Sequence, residues 1–142
     1  MLPDENSQRF IAVLNKKIEI GKLMNALGHM TAGLAGGFGK GQEMRFLEYK
    51  DKDGGVHPHI SHFPFIILKA DNSNQIRKVR NEAITRNIMF TDFTSTMTVG
   101  TSADQVERTK NTPEAELEYY GICLFGSTQE LREFTGKFSL FQ

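Results

Sequence analysis

Cysteine occurs once in the 142 residues, at Cys123. A single thiol excludes an internal disulfide. It sits in the apolar run YYGICLF, so it reads as an inert core thiol and fits a cytoplasmic setting. An excess of charge of either sign is also missing. Seventeen basic and seventeen acidic residues cancel to a formal net charge of zero. A dedicated nucleic-acid binder carries a basic excess or a basic stripe. Lys16, Lys17 and Lys22 gather near one helix start, but the overall balance weighs against nucleic acid as a partner. No stretch reaches the roughly 18 apolar residues of a membrane span. The opening MLPDENSQRF is polar and acidic, which is wrong for a secretion signal, so no membrane partner is expected. Internal repeats and low-complexity segments are absent.

Apolar residues make up 39% and charged residues 24%, the balance of a soluble globular class. The length suits one domain over residues 1–142. A chain of this size buries roughly two thirds of its unfolded surface, enough for a core without staples.

The hydrophobic pattern gives the elements. Arg9–Asn15, RFIAVLN, is short, apolar and bounded by polar residues, as a buried strand is. From Gly21 the period changes. Leu23, Leu27, Met30 and Leu34 recur at helical spacing, and glycines at 33, 36, 37 and 39 mark the helix end and a flexible loop. Met44–Tyr49 is a short strand, Lys50–Gly55 a turn, and GVHPHISH an extended segment whose proline suits an edge or loop. Phe63–Ala70 is a continuous apolar run, which implies helices on both sides of a sheet. Asn72 and Gln75 resemble a capping box before a stripe of Ile76, Val79, Ala83 and Ile84, and Asn87 stops that helix. NIMFTDF is a strand ending near Asp92. Residues 94–113 are polar and weakly patterned, a long loop with room for one helical turn; such loops are often functional. Glu116–Phe125 is a fourth core strand. Ser127–Glu130 is a capping box for a short helix with Leu131 and Phe134 inward, ended by Gly136. KFSLF adds a last strand or packs down. Alternating strands and helices predict an α/β fold, a three-layer α/β/α sandwich on a mixed, mostly parallel sheet of about four strands.

The helix that starts at Gly21 carries a second face. At about 100° per residue, Lys22 and His29 lie about 20° apart around the axis, with Asn25 near the same side. A lysine in the first turn opposes the helix macrodipole by about 0.3–1 kcal/mol. A helix start and a lysine together attract phosphate or carboxylate. Two readings stand side by side: a solvated lysine with a half-buried, hydrogen-bonded histidine, or a small-anion site.

The run Arg9–Ala35, RFIAVLNKKIEIGKLMNALGHMTAGLA, resembles the first strand and helix of type II peptidyl-tRNA hydrolases, with Gly21, Lys22 and His29 at the matching positions. FIILKADNSNQIRKV is similar to that family's second strand and helix. NIMFTDFTSTM resembles its third strand, with an Asp and a threonine four residues later. EYYGICLFGSTQELREFTGKFSLF is similar to its last strand, helix and terminal segment. The likeness is collinear over most of the chain outside 40–61, and it is nearer still to small uncharacterised bacterial proteins with the hydrolase fold. At position 26 the hydrolases carry glutamine, and this chain carries Ala26. The resemblance implies a peptidyl-tRNA hydrolase II-like fold with Lys22, Asp92 and Thr96 as catalytic residues around one cleft. Gly21, Asn25 and His29 would contact the ligand, His29 deeper along the helix. A Lys22–Asp92 pair would lower the carboxylate's pKa and hold it charged. The carboxylate would then orient water while the lysine stabilises an oxyanion or binds phosphate. The plain alternative is an ordinary ion pair at the sheet edge.

Other constellations carry less. His57, His59 and His62 in HPHISH include a metal-ligand spacing, but no Cys or acidic residue stands close in sequence, and Pro58 favours a solvent-facing segment. GLAGGFGKG lacks the Gly-Lys-Ser/Thr ending of a P-loop and follows a helix instead of preceding one. Tyr119 and Tyr120 read as strand packing. No cofactor and no metal are expected. Two functional expectations result: a hydrolase acting on an ester or a peptidyl-tRNA-like substrate, or a non-catalytic module that binds a small anionic ligand or regulates. A homodimer that pairs the sheet edge near Met44 to Ile60 is a further expectation.

Overall fold

A computed structural model describes residues 1–142. Five strands form the main sheet in the order β5-β6-β1-β4-β7, where β1 is Gln8–Asn15, β4 Phe65–Ala70, β5 Met89–Thr94, β6 Tyr119–Ser127 and β7 Ser139–Leu140. A separate two-stranded hairpin joins β2, Phe46–Lys50, to β3, Val56–Ser61. The helices are α1, Ile20–Gly37; α2, Gly41–Met44; α3, Ser73–Thr85; α4, Ser102–Lys110; and α5, Thr128–Thr135.

Alternation along β1 divides the core. Phe10, Ala12 and Leu14 face α1 through Leu23, Ala26, Met30 and Leu34. Ile11 and Val13 face the other way, with Ile76, Val79 and Ala83 of α3 and Leu131 and Phe134 of α5. Helices therefore cover both faces of the sheet. The fully buried apolar residue beside Leu23 in α1 is Ala26, while Leu27 is only half-buried. Gly121 of β6 lies beneath α1. A Cβ there would come 2.7 Å from Leu14 Cδ2 and 3.0 Å from Met30 Cε, so the closeness of helix to sheet depends on a glycine.

The sheet is mixed, but it is not mostly parallel, and it has five strands. Only β1 and β4 pair in parallel; β1–β6, β5–β6 and β4–β7 are antiparallel. The reason lies in residues 95–118. α1 and α3 act as crossovers that return the chain so that β1, β4 and β5 run the same way. The segment after β5 stays at the carboxyl end instead. The Ser95 amide donates to the Glu118 carbonyl at 3.0 Å, so β6 starts where β5 stops and runs back.

That segment is also more ordered than a long loop. It contains a 3₁₀ turn at Ser95–Met97, the nine-residue α4 and a second 3₁₀ turn at Glu114–Glu116. Thr101 and Asp104 close a reciprocal capping box on α4. Hydrophobic periodicity missed this helix because none of its residues is buried. At α3 the Asn72 side chain accepts from the Gln75 amide at 3.0 Å, as the sequence predicts. No helix is long and apolar enough to cross a membrane.

Candidate functional site

The loop after β1 delivers the chain into α1 at Ile20, beside the end of β5. Asn15, 2% exposed, fixes this corner: its side chain donates to the Tyr119 carbonyl at 3.1 Å and accepts from the Lys17 amide at 3.0 Å. The start of α1 is uncapped, with a carboxylate beside it: Glu19 Oε1 lies 3.6 Å from where a Cβ on Gly21 would stand. Glu19 occupies the N-cap without a side-chain cap bond, and no acidic residue lies in the first turn. The amides of Lys22 and Leu23 donate to the Glu19 carbonyl. Those of Ile20 and Gly21 have no partner in the protein. Unsatisfied amides at a helix start carry partial positive charge.

A groove runs along the polar face of α1. Its head, about 350 Å³, is lined by Glu19, Gly21, Lys22, Asn25, Phe93, Thr98, Val99 and Tyr120. Its continuation, about 440 Å³, shares Asn25, Phe93 and Thr98 and adds His29, Thr91, Asp92, Ser102 and Gln105 among its walls. Both volumes lie in the small-molecule range of roughly 300–1,000 Å³. The first wall is α1, the floor is β5, and the far wall is the 97–105 segment. Thr91 anchors helix to floor by donating to the Met30 carbonyl at 2.8 Å. The groove lies at the carboxyl end of β5, where open α/β sheets place ligands.

Of the six residues singled out in the sequence, Gly21, Lys22, Asn25 and His29 line this groove, and Asp92 borders it. Lys22 is exposed and forms no ion pair. The His29 ring is exposed, lies further along α1 than Lys22 in the continuation of the groove, and stacks on Phe93 at 5.9 Å between centroids.

Asp92 and Thr96 are arranged differently. Along β5, Thr91 and Phe93 point to α1, so Asp92 points to α3. There its carboxylate receives Arg80 Nε at 3.0 Å, with the two side chains only 16% and 28% exposed. Asp92 borders the groove, but its ion-pair partner is Arg80, not Lys22. Burial pushes its carboxyl above the usual range, and Arg80 offsets part of that rise. The expected lowering by Lys22 is not what this carboxyl experiences.

Thr96 is buried and lines neither part of the groove. Its hydroxyl lies 2.7 Å from Thr94 Oγ1 and 2.7 Å from Thr109 Oγ1, and its carbonyl accepts from Arg108 at 2.9 Å. It ties α4 to the end of β5. The three-residue cleft of Lys22, Asp92 and Thr96 is thus not assembled. Strand alternation turns one member away, and the helix at 102–110 occupies another.

Tyr120 is the groove residue that sequence reasoning missed. The residue is 7% exposed and its ring packs 5.9 Å from Phe93, but its hydroxyl has no protein hydrogen bond. The sequence holds a signal for it only in hindsight of a β-bulge. Phe93 pairs with Gly121 and Thr94 with Tyr119, so Tyr120 is the extra residue.

The histidines of 57–62 do not converge. An acidic residue does stand close in sequence, contrary to expectation: His57 lies 2.9 Å from Oδ2 of Asp51, six residues earlier, while His62 lies 2.7 Å from the Pro3 carbonyl. His59 sits at φ 65°, in the left-handed region. No three His, Cys, Asp or Glu side chains come together in a group that could hold a metal. The Cys123 thiol is pushed up to about 12 by burial, the condition of an unreactive core cysteine.

The family described as "Protein of unknown function (DUF2000)" matches residues 8–142. No curated protein matches the chain. Among solved structures, a protein of unknown function, Atu0240, from Agrobacterium tumefaciens strain C58 superposes with a TM-score of 0.81 at 16% identity. The alignment covers 96% of this chain and 98% of that one. At that identity the likeness speaks for the fold alone.

Proposed function

The chain belongs to the DUF2000 family, and from that premise we propose that it binds a small anionic ligand in the groove along α1. The carrying observation is that Lys22 has no carboxylate partner and shares one cavity with the partnerless Gly21 amide and Asn25. A cation and free helix-start amides facing the same space favour phosphate or carboxylate. Asn25 supplies a directional donor. His29 on its Phe93 platform lines the continuation of the groove, where a longer ligand would run. This reading is a non-catalytic or regulatory module on a fold of the peptidyl-tRNA hydrolase II type, a likeness that rests on the collinear sequence resemblance. Thermal shift and equilibrium titration with phosphate and acetate test it. Saturable binding that weakens in Lys22→Ala is expected; a flat response, unchanged in the variant, overturns it.

A second reading is a hydrolase of the peptidyl-tRNA hydrolase type. It rests on the collinear sequence resemblance and on Asp92, which borders the groove with a carboxyl raised by burial but is held by Arg80 on the α3 side, so a substrate would have to displace that pair. Its test is cleavage of an N-acyl-aminoacyl-tRNA compared with a Lys22→Ala, Asp92→Asn double variant. Equal rates overturn it.

A further inference from the structure

The head of the groove holds two opposite charges, not one. Glu19 and Lys22 are three residues apart at the start of α1, both exposed, and both line the same 350 Å³ cavity. As the N-cap, Glu19 has non-helical backbone, and its carboxylate turns toward Gly21, Oε1 lying 3.6 Å from where a Cβ there would stand. Here neither side chain is ion-paired or hydrogen-bonded, to the other or to any further protein group. Between them in the chain is Gly21, which lines the same cavity and whose amide has no protein partner. Opposite them stands Tyr120. Its hydroxyl has no protein partner and is not sealed from solvent, and the residue lines this cavity. A phenol on a residue 7% exposed, with no protein partner, is a donor held ready for something outside the protein. Phe93 and Val99 give the same cavity an apolar side.

We propose that this head takes a zwitterion of the α-amino-acid type. The claim rests on the anion-binding reading above and narrows it. The ligand carboxylate lies toward Lys22, the Gly21 amide and the Tyr120 hydroxyl. Its ammonium lies toward Glu19, and an aliphatic side chain lies toward Phe93 and Val99. Each unpaired group then has a partner of the right sign, including Glu19, which a simple anion would leave facing like charge.

The probes are L-norvaline, N-acetyl-L-norvaline (no ammonium) and L-norvalinamide (no carboxylate), with acetate and phosphate beside them. Binding is followed by calorimetry and by amide shifts at Gly21 and Lys22. L-norvaline is expected to bind, with each blocked form weaker by about tenfold or more, the scale of one lost charge-assisted hydrogen bond. Tyr120→Phe is expected to weaken L-norvaline about tenfold with an unchanged melting temperature. Glu19→Gln, on the surface and independent of core packing, is expected to remove the preference for L-norvaline over its N-acetyl form. N-acetyl-L-norvaline or acetate binding as tightly as L-norvaline overturns the zwitterion while leaving the anion reading standing. Silence from every probe overturns both.

Discussion

Arg80 Nε donates to Asp92 Oδ2 at 3.0 Å across the face of the sheet opposite α1. This bond assigns the carboxylate to the packing of α3 on β5 and separates it from the lysine that begins α1. It also sets a pH signature. The Asp92 carboxyl is raised above 3.8, chiefly by burial. A raised carboxyl binds its proton more tightly folded than unfolded. Its contribution to stability is therefore present at low pH and declines as pH climbs from 3.8 through the raised midpoint. Asp92→Asn should abolish that decline, because the amide still accepts from Arg80 and has no charge to desolvate. Melting temperature against pH for both proteins checks this; identical slopes would contradict it.

Removing the arginine is a harsher change. Arg80→Ala leaves a mostly buried carboxylate without its donor, and a loss of about 1–3 kcal/mol is expected. The Asp92 midpoint should rise further, since burial then acts unopposed. Urea denaturation gives the first quantity, and a carboxyl NMR titration gives the second.

Thr96 is expected to matter for stability and not for ligands. Thr96→Val breaks the hydroxyl chain from Thr94 to Thr109 and leaves Thr94, which is 0% exposed, without its partner. A cost of about 1–3 kcal/mol follows. Affinity for any groove ligand should be unchanged. A Thr96→Val protein of full stability but weakened binding would return Thr96 to the site.

Gly121→Ala tests the seating of α1. The new methyl meets the ends of Leu14 and Met30 and lies 3.2 Å from the Val13 carbonyl. The two side-chain ends can move and the carbonyl moves less, so an overpacking cost of about 1–3 kcal/mol is expected. Chemical denaturation measures it. Because α1 is one wall of the groove, ligand affinity should fall as well.

The sequence made the α1 face legible because a helix is a local object. Its period places Lys22, Asn25 and His29 on one side without knowledge of the rest of the fold, and these three do line one groove. The same locality explains β1, the hairpin strands, and the caps at Asn72 and Ser127. Asp92 was not legible in this way. Its strand is plain from the pattern, but which face it points to depends on register against β6 and on where α3 lies. Arg80 is twelve residues earlier in sequence and on another element. The direction of β6 was hidden for a related reason: it follows from the path of residues 95–118, whose helix is too polar overall to bury a residue. Tyr120 reads as one more strand aromatic until the bulge opposite Phe93 and Thr94 is known.

The proposed anion site is the uncapped start of α1 with the polar face behind it. A ¹⁵N–¹H titration of the intact protein with sodium acetate and with phosphate, at constant ionic strength, tests it most directly. Saturable shifts that disappear in Lys22→Ala are expected at Gly21, Lys22, Asn25 and Thr98. Shifts confined to other surfaces, or the same shifts in Lys22→Ala, would contradict it.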